Sequence, residues 1–499
     1  MKNTVVITTI VMLISILAVK TSKAQDSAFK LSDYKNPNYF YQTLDLNFGL
    51  TSIFIQHQSE TTDKSGGNNF SLYSKAGAFY SLYINSPGTQ TELQTSFYGD
   101  LGSTVQHSKY ESLNTEYNSN AFSHSENLNI EGLKRFYNAK QNYFEVSGLI
   151  SGINNSSSTE VTNKNSDTII SKYTSDYKTH NLNISGSFLI GKGRIEQVQD
   201  ARMALYLLDD LQKLNRQNQI ALNEDVLALA REITRLKYKR FFDDRLRKIA
   251  EITAIDSFLQ KNGIAGTTDA TYFTSLTDNW NYSNNPVRNS GKRFFTGIEA
   301  DYMYSYNSQS SDNAVPDDIP INNIIKRQNT DAYIVAGVAC EKPTSLKWQN
   351  SANLKIGVGL RQNTVHFDLD DVSENPLPQY NEALPSLKLT GDYGFGYYPT
   401  SRTWVTFDWW ILSGWDKEMK GTSKQDKKDD QNSFYTYTGP QFHAYYYLSE
   451  KLRLSLTFTG EFRLDNDKFT YEVIEGNPDK NTSTWWNHQL NAALTYSLF

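Results

Sequence analysis

Lys451-Leu-Arg-Leu-Ser-Leu-Thr-Phe-Thr-Gly-Glu-Phe-Arg-Leu-Asp465 decides how the chain is read. Leu452, Leu454, Leu456, Phe458, Phe462 and Leu464 fall on one side of an extended backbone, and Arg453, Ser455, Thr457, Thr459, Glu461 and Arg463 on the other. Side chains alternate across a strand with period two and recur along a helix with period 3.6, so the stretch is a strand with one apolar and one polar face. The same alternation sets Leu354, Ile356, Val358 and Leu360 against Lys355, Gly357, Gly359 and Arg361, and Leu387, Leu389, Tyr393 and Phe395 against Lys388, Thr390, Asp392 and Gly394. Near the front, Leu44, Leu46, Phe48 and Leu50 alternate with Asp45, Asn47, Gly49 and Thr51, and Leu182, Ile184, Phe188 and Ile190 with Asn183, Ser185 and Ser187.

Half-buried strands of soluble sandwiches alternate too, so the links between strands have to discriminate. About six strands fit before residue 191 and about eight after residue 290. Short links fall at Asn85-Ser86-Pro87-Gly88, Asn138-Ala139-Lys140, Pro343-Thr344-Ser345, Pro399-Thr400-Ser401 and Ser449-Glu450-Lys451. Long polar links lie between them, over residues 58–69, 109–118, 153–176, 308–329, 369–383, 419–432 and 473–483. Short turns on one side and long loops on the other are the pattern of a closed transmembrane β-barrel. The expected fold is therefore an all-β transmembrane barrel of about 14 antiparallel strands, between about 12 and 16.

Composition agrees. Of 499 residues only 38% are hydrophobic, yet Tyr (32), Phe (26) and Trp (8) are plentiful, and the mean hydropathy is -0.57. A barrel shows lipid one face of each strand, hides a polar face inside and concentrates aromatics at both interfaces. After the leader no segment approaches the roughly 18 apolar residues of a spanning helix. The net charge of -5 argues against nucleic acid as a partner. Cys340, the only cysteine, excludes an intrachain disulfide and a cysteine-based metal site. At the front, Met1-Lys2-Asn3 precedes an apolar run from Val5 to Val19, and Ser22-Lys23-Ala24 supplies small residues for a signal peptidase. The alternative, a membrane anchor, would need roughly 20 residues to cross. Export is expected, with the mature chain starting at Gln25.

The last strand alternates Leu490, Ala492, Leu494, Tyr496 and Leu498 and ends on Phe499. With the export signal and the paired short and long links, it resembles the Gram-negative outer-membrane β-barrel superfamily. Richness in Asn, Ser, Tyr and Lys is similar to that of Bacteroidetes proteins. The resemblance implies residence in the outer membrane among lipid and lipopolysaccharide, and delivery by the barrel-assembly machinery, with Tyr496, Leu498 and Phe499 as the insertion signal. The apolar alternation is in phase with Leu498, one residue off the terminal Phe499. No transporter family is identified.

Between residues 194 and 262 the period changes. Val198, Ala201, Leu205, Leu208 and Leu211 keep helical spacing, as do Val226, Ala230, Ile233 and Leu236, then Leu246, Ile249, Ile252, Ile255 and Leu259. Two helices are expected, the second long and interrupted near Phe241-Phe242, with Asn223 as N-cap and Gly263 as stop. The resulting organisation is a signal peptide (1–24), a periplasmic segment (25–37), a first barrel half (38–191), a helical periplasmic insert between strands 6 and 7 (192–289) and a second barrel half (290–499). The insert carries Arg231, Arg235, Lys237, Lys239, Arg240, Arg245, Arg247 and Lys248. These form either a solvated helix face or a surface for anionic headgroups, peptidoglycan or an acidic periplasmic protein; Arg231, Arg235, Lys239, Arg240, Arg247 and Lys248 are the partner-binding candidates.

Alternation assigns Asp45, Asn47, Glu145, Glu299, Asp301, Lys355, Arg361, Lys388, Asp392, Asp408, Arg453, Glu461 and Arg463 to the lumen. Charges of both signs either steer a permeating solute or neutralise one another as filling. No cofactor, metal or catalytic group is expected. The seven histidines are scattered and none stands in a hydrolase or metalloprotease motif. His443, beside Gln441 and Tyr445, is the one candidate for an enzyme acting on membrane lipid or envelope polymer. Asp368, Asp370, Asp371 and Glu374 lack the glycine and spacing of a calcium loop. The leading expectation is a porin-like or substrate-selective channel for a small polar solute. The alternative is an envelope structural or assembly protein whose insert binds a periplasmic partner.

Overall fold

The computed structural model describes residues 29–35, 38–59, 65–110, 115–165, 168–238, 247–282, 287–313, 321–369, 380–417, 432–449, 452–466 and 482–496. The leader, the loop residues Asp370, Asp371 and Glu374, and the terminal Leu498 and Phe499 lie outside them; Tyr496 is the last residue of the final strand. Fourteen strands form one antiparallel sheet in sequence order. They are β1 (Tyr39–Ser59), β2 (Ser65–Asn85), β3 (Thr89–Tyr110), β4 (Thr115–Tyr137), β5 (Asn142–Asn165), β6 (Thr168–Gln197) and β7 (Asn289–Asn313), followed by β8 (Ile321–Pro343), β9 (Trp348–Leu369), β10 (Tyr380–Thr400), β11 (Thr403–Lys417), β12 (Asn432–Tyr447), β13 (Leu452–Asn466) and β14 (Thr482–Tyr496). A single helical insert separates β6 from β7.

The registers show that the sheet is tilted as a barrel wall is. Stepping from partner to partner, Tyr39 leads through Asn85, Gln90, Arg135, Glu145, Leu189, Gly297 and Val335, then through Gly357, Lys388, Gly414, Tyr435 and Asp465, to Ser483. Tyr39 stands at the short-turn end of β1, whereas Ser483 stands at the long-link end of β14. A row perpendicular to the strands thus climbs the full height of the wall, the stagger that barrel geometry demands. Among the described residues β1 pairs with β2 and β14 with β13; a pairing of β1 with β14 is not among the registers.

The outward face carries the apolar belt. Phe144, Phe188, Ile190, Phe294, Ile298, Ile334, Val358 and Leu490 are all exposed, which is the disposition of side chains that meet lipid. The short links after β2 and β4 fall where expected, those after β8 and β10 begin a residue or two later because Pro343, Pro399 and Thr400 are still strand, and Glu450 and Lys451 of the last one lie outside the described residues. The long link expected over 153–176 is mostly strand instead, because β5 continues to Asn165 and β6 begins at Thr168. Asn154-Asn155-Ser156-Ser157-Ser158-Thr159 is polar on both faces and gives no alternation; neighbouring strands hold it through backbone pairing. The 30 residues of β6 span about 100 Å at roughly 3.3 Å per residue, while a membrane-crossing strand needs only about 9–11 residues.

The insert holds four helices, α1 (Gln199–Lys213), α2 (Asn223–Lys237), α3 (Lys248–Lys261) and α4 (Ala270–Tyr282). This corrects the expected pair. The long second helix is two helices, and α4 escaped notice because its inward residues Tyr272, Leu276 and Trp280 are mostly aromatic and flanked by polar groups. Asn223 is the first residue of α2, with Leu222 at the cap and its N–H donated to Asp225 (2.8 Å). Gly263 adopts a φ of +67° just beyond α3, where a side chain would be strained, and ends that helix.

Leu207, Leu211, Leu229, Ile233, Ile255, Leu259, Tyr272 and Leu276 form the insert's own core, joined by Leu31 and Tyr34 from the segment before β1. Around Tyr34 a polar knot closes. The Tyr34 hydroxyl bonds with that of Thr234 (2.9 Å), Thr234 donates to Asp200 (2.6 Å), and Lys237 donates to the other Asp200 oxygen (2.6 Å). Lys237, expected on the basic face, is therefore an interior ion-pair partner.

Removing one member of that pair leaves a buried charge without its counterion. Asp200→Ala is expected to destabilise the insert by about 3–5 kcal/mol, and the double change Asp200→Asn with Lys237→Met to recover most of it. Amide hydrogen exchange in α1 and α2 measures both. Asp269 caps α4 at the Tyr272 N–H (3.0 Å) and accepts two bonds from Arg216 (3.0 and 2.7 Å), which hold its carboxyl down at about 2. A depressed carboxylate stabilises the fold above its unfolded value near 3.8 and loses that contribution as pH falls through about 2. Protection at the start of α4 should drop across that window, and Asp269→Asn should abolish the pH response.

Candidate functional site: a polar chamber above a docked helical cap

The insert is fastened to the short-turn end of the wall. Val198, where the chain leaves β6, donates its N–H to the carbonyl of Arg288, where it returns (2.9 Å), so the neck is closed by backbone. Arg288 is almost fully buried and donates to Ser345 O (2.9 Å), Leu346 O (2.5 Å), Trp348 O (2.8 Å) and Gln349 Oε1 (3.0 Å) in the β8–β9 turn. Five donors on a planar fork suit such a cluster of carbonyls. Its guanidinium also lies 4.7 Å from the ring centre of Tyr398, which Arg202 of α1 approaches to 5.8 Å. Burial pushes both guanidinium groups down, Arg288 to about 10. Tyr206 of α1 donates to Tyr398 O (2.8 Å). Arg402 in the β10–β11 turn pairs with Asp278 of α4 (2.6 Å), and Tyr282 of α4 meets Tyr447 at the end of β12, ring centres 5.3 Å apart. Phe40 at the start of β1 meets Tyr238 just after α2, at 5.2 Å.

Directly above the neck is a chamber of about 340 Å³, lined by Tyr83, Glu92, Arg135, Gln197, Asn289, Arg293, Glu341, Asn353 and Asp392 among others. Gln197 and Asn289 form the last rung of β6 and β7 before the chain departs into the insert. On one wall Arg135 is ion-paired with Glu145 and with Glu92 (3.2 Å), and Arg293 stands 3.9 Å from Glu145. Farther along the same wall, Glu341 accepts a hydrogen bond from Gln349 (2.7 Å), and Asp392 faces Asn353 across β9 and β10. Ala339 and Asn353 separate Arg293 from Asp392 in one cross-strand row, and the methyl of Ala339 leaves room between them.

Further up the lumen the charges close on one another. Lys355 donates to both oxygens of Glu299 (2.8 Å each), Arg361 lies 3.7 Å from Asp331 and 3.4 Å from Asp416, and Tyr333 bonds with Ser386 (3.0 Å). Lys388 lies 5.7 Å from the Tyr333 ring centre, Arg453 lies 5.4 Å from that of Tyr445, and Arg463 stacks on Tyr437 and bonds its hydroxyl (2.7 Å). Asp45, Asp301, Asp408 and Glu461 share the same face by register. Of the charged lumen candidates from the sequence, only Asp392 lines the chamber, with Glu145 behind its arginines. Sequence reasoning missed Glu92, Arg135, Arg293 and Glu341. Each stands close to a turn, and Lys134-Arg135 and Lys292-Arg293-Phe294-Phe295 place like residues side by side, so the phase of the alternation is lost there.

The basic candidates of the insert do not gather. Arg235 pairs with Glu232 (2.5 Å), Arg231 and Arg247 are exposed, Lys248 is half-buried, and Lys239 and Arg240 lie outside the described residues. His443 is held by Thr457 (3.3 Å) on the lumen side of β12.

No protein-family model matches the sequence, and no curated protein matches it. Among solved structures, the translocator domain of the autotransporter NalP from Neisseria meningitidis is similar at 8% identity and a TM-score of 0.22, over 84% of this chain and 91% of that one. CdiB from Acinetobacter baumannii is similar at 6% identity and a TM-score of 0.15, over 91% of this chain and 66% of that one.

Arg288→Ala removes four hydrogen bonds at one turn; Trp348 O keeps the N–H groups of Thr344 and Ser345, whereas Ser345 O, Leu346 O and Gln349 Oε1 lose the Arg288 donor, each costing about 1–3 kcal/mol if it stays dry. It is expected to raise hydrogen exchange in 344–349 and around the α1–Tyr398 contact, while Tyr206→Phe, which loses one bond, has an effect several-fold smaller.

Proposed function

We propose that this protein is an outer-membrane channel for a small polar solute, with the helical insert on the periplasmic side as a cap over one mouth. The observation that carries the reading is the polar chamber immediately above the neck of a helical domain bolted to the short turns. A wall with lipid-facing apolar residues and a hydrated charged interior is what solute passage needs. Arg288, Arg402 and Tyr206 supply a reason for the cap to stay seated. The competing reading, in which the barrel only anchors a basic partner-binding insert, is weakened because Lys237 is consumed in the interior and Arg235 is paired with Glu232. Lipid and lipopolysaccharide around the belt, and delivery by the barrel-assembly machinery, belong to the same proposal.

Planar-bilayer recording of the full chain tests it. The wild type should carry small current steps, and the combined change Arg288→Ala with Arg402→Ala should enlarge them several-fold by unseating the cap. A protein that carries no current and admits no sugar or amino acid to liposomes in either form would end the channel reading.

A further inference from the structure

The chamber holds under-used groups of both signs. Arg135 is committed to Glu145 and Glu92, but Arg293 is not equally satisfied: its Nε is buried without a hydrogen bond, and its approach to Glu145 is long at 3.9 Å. On the strands beside it, Glu341 and Asp392 line the same space, and neither forms an ion pair among the described residues, unlike Glu145, Glu299, Asp331 and Asp416. Arg293 keeps one long ion pair, and Glu341 and Asp392 have amide partners, Gln349 and Asn353, but no counterion among the described residues, so the chamber presents a cationic fork and two carboxylates that a ligand bringing both complements would satisfy.

We infer that the chamber binds a small zwitterion of dipeptide size, its carboxylate on Arg293 and its ammonium between Glu341 and Asp392. This rests on the channel reading and names the solute class it would select. Arg293 and Glu341 sit diagonally on adjacent strands, because Gly291 faces Glu341 and Arg293 faces Ala339. Diagonal positions lie about 7–8 Å apart at the backbone, close enough for both side chains to reach the two ends of one ligand of two residues, which spans roughly 7 Å extended. A guanidinium takes a carboxylate through two parallel N–H bonds. The amides of Asn353, Gln197 and Asn289 line the rest of the space and can donate to or accept from a peptide unit. An anion lacking the ammonium would meet the unneutralised Glu341 and Asp392, and a cation lacking the carboxylate would meet Arg293, so each is disfavoured by like charge as well as by a lost bond.

Calorimetry on the full chain in detergent tests this with three probes: alanyl-alanine, its N-acetyl form and its C-terminal amide. The free dipeptide should bind, and blocking either end should weaken binding about tenfold or more, a difference that needs no variant to read. Arg293→Gln should make the amide bind as well as the free dipeptide, and Glu341→Gln with Asp392→Asn should do the same for the acetylated form, each variant checked for native strand content. Equal binding of all three probes, or none by the wild type, overturns the inference. Current recorded from the same preparations separates the two proposals: conduction without discrimination removes the zwitterion site alone, whereas absence of conduction removes the channel reading beneath it.

Discussion

A strand that crosses hydrocarbon finds no water for its N–H and C=O groups, so every one of them has to be answered by a neighbouring strand. That constraint organises this molecule. It makes the strands pair in strict sequence order, it imposes the climbing stagger from Tyr39 to Ser483, and it leaves each strand with one face for lipid and one for the interior. Once the backbone is satisfied within the sheet, the inward side chains are free to be polar, provided they answer one another. Lys355 with Glu299, and Arg361 between Asp331 and Asp416, do so.

The same constraint explains how much of the architecture can be read from residue order. Where a strand lies in lipid, alternation is enforced: Leu452 to Leu464 and Leu354 to Leu360 announce themselves. Where it rises beyond the apolar belt, nothing requires an apolar face, and Asn154 to Thr159 read as loop although they are paired on both sides. The charged chamber suffers from a related loss. Arg135, Arg293 and Glu341 stand near the ends of strands, where the interface admits polar groups on either face, so local sequence does not say which way they point. The helices split differently: α1 and α2 are plain in their aliphatic spacing, whereas α4 buries Tyr272 and Trp280, which need polar partners as well as packing.

The insert is held by two kinds of interaction with different purposes. Its interior is fixed by apolar packing and the Asp200–Lys237 pair, which tie α1, α2 and the segment before β1 into one body. Its attachment to the wall is mainly polar, through arginine forks on turn carbonyls and rings stacked beside them. Polar contacts at a partly wet edge are individually weak and exchange readily with water. Arg288, buried against the carbonyls it serves, is shielded from that exchange, so the insert is a stiff body fastened at one dry point and at wetter contacts around it.

The bond from Tyr206 to the carbonyl of Tyr398 joins residues 192 positions apart. Closing a contact over so long a separation is slow, because the intervening chain must first be ordered. The helices can pack as soon as residue 282 has emerged, since their core draws only on residues near 31–34 and 198–280 plus Leu346 at its margin. Their seat on the rim needs the turns at 345–348 and 398–402, and these exist only after β8 to β11 have paired. The helical body can therefore complete its own core without the second half of the wall, whereas its seat on the rim cannot.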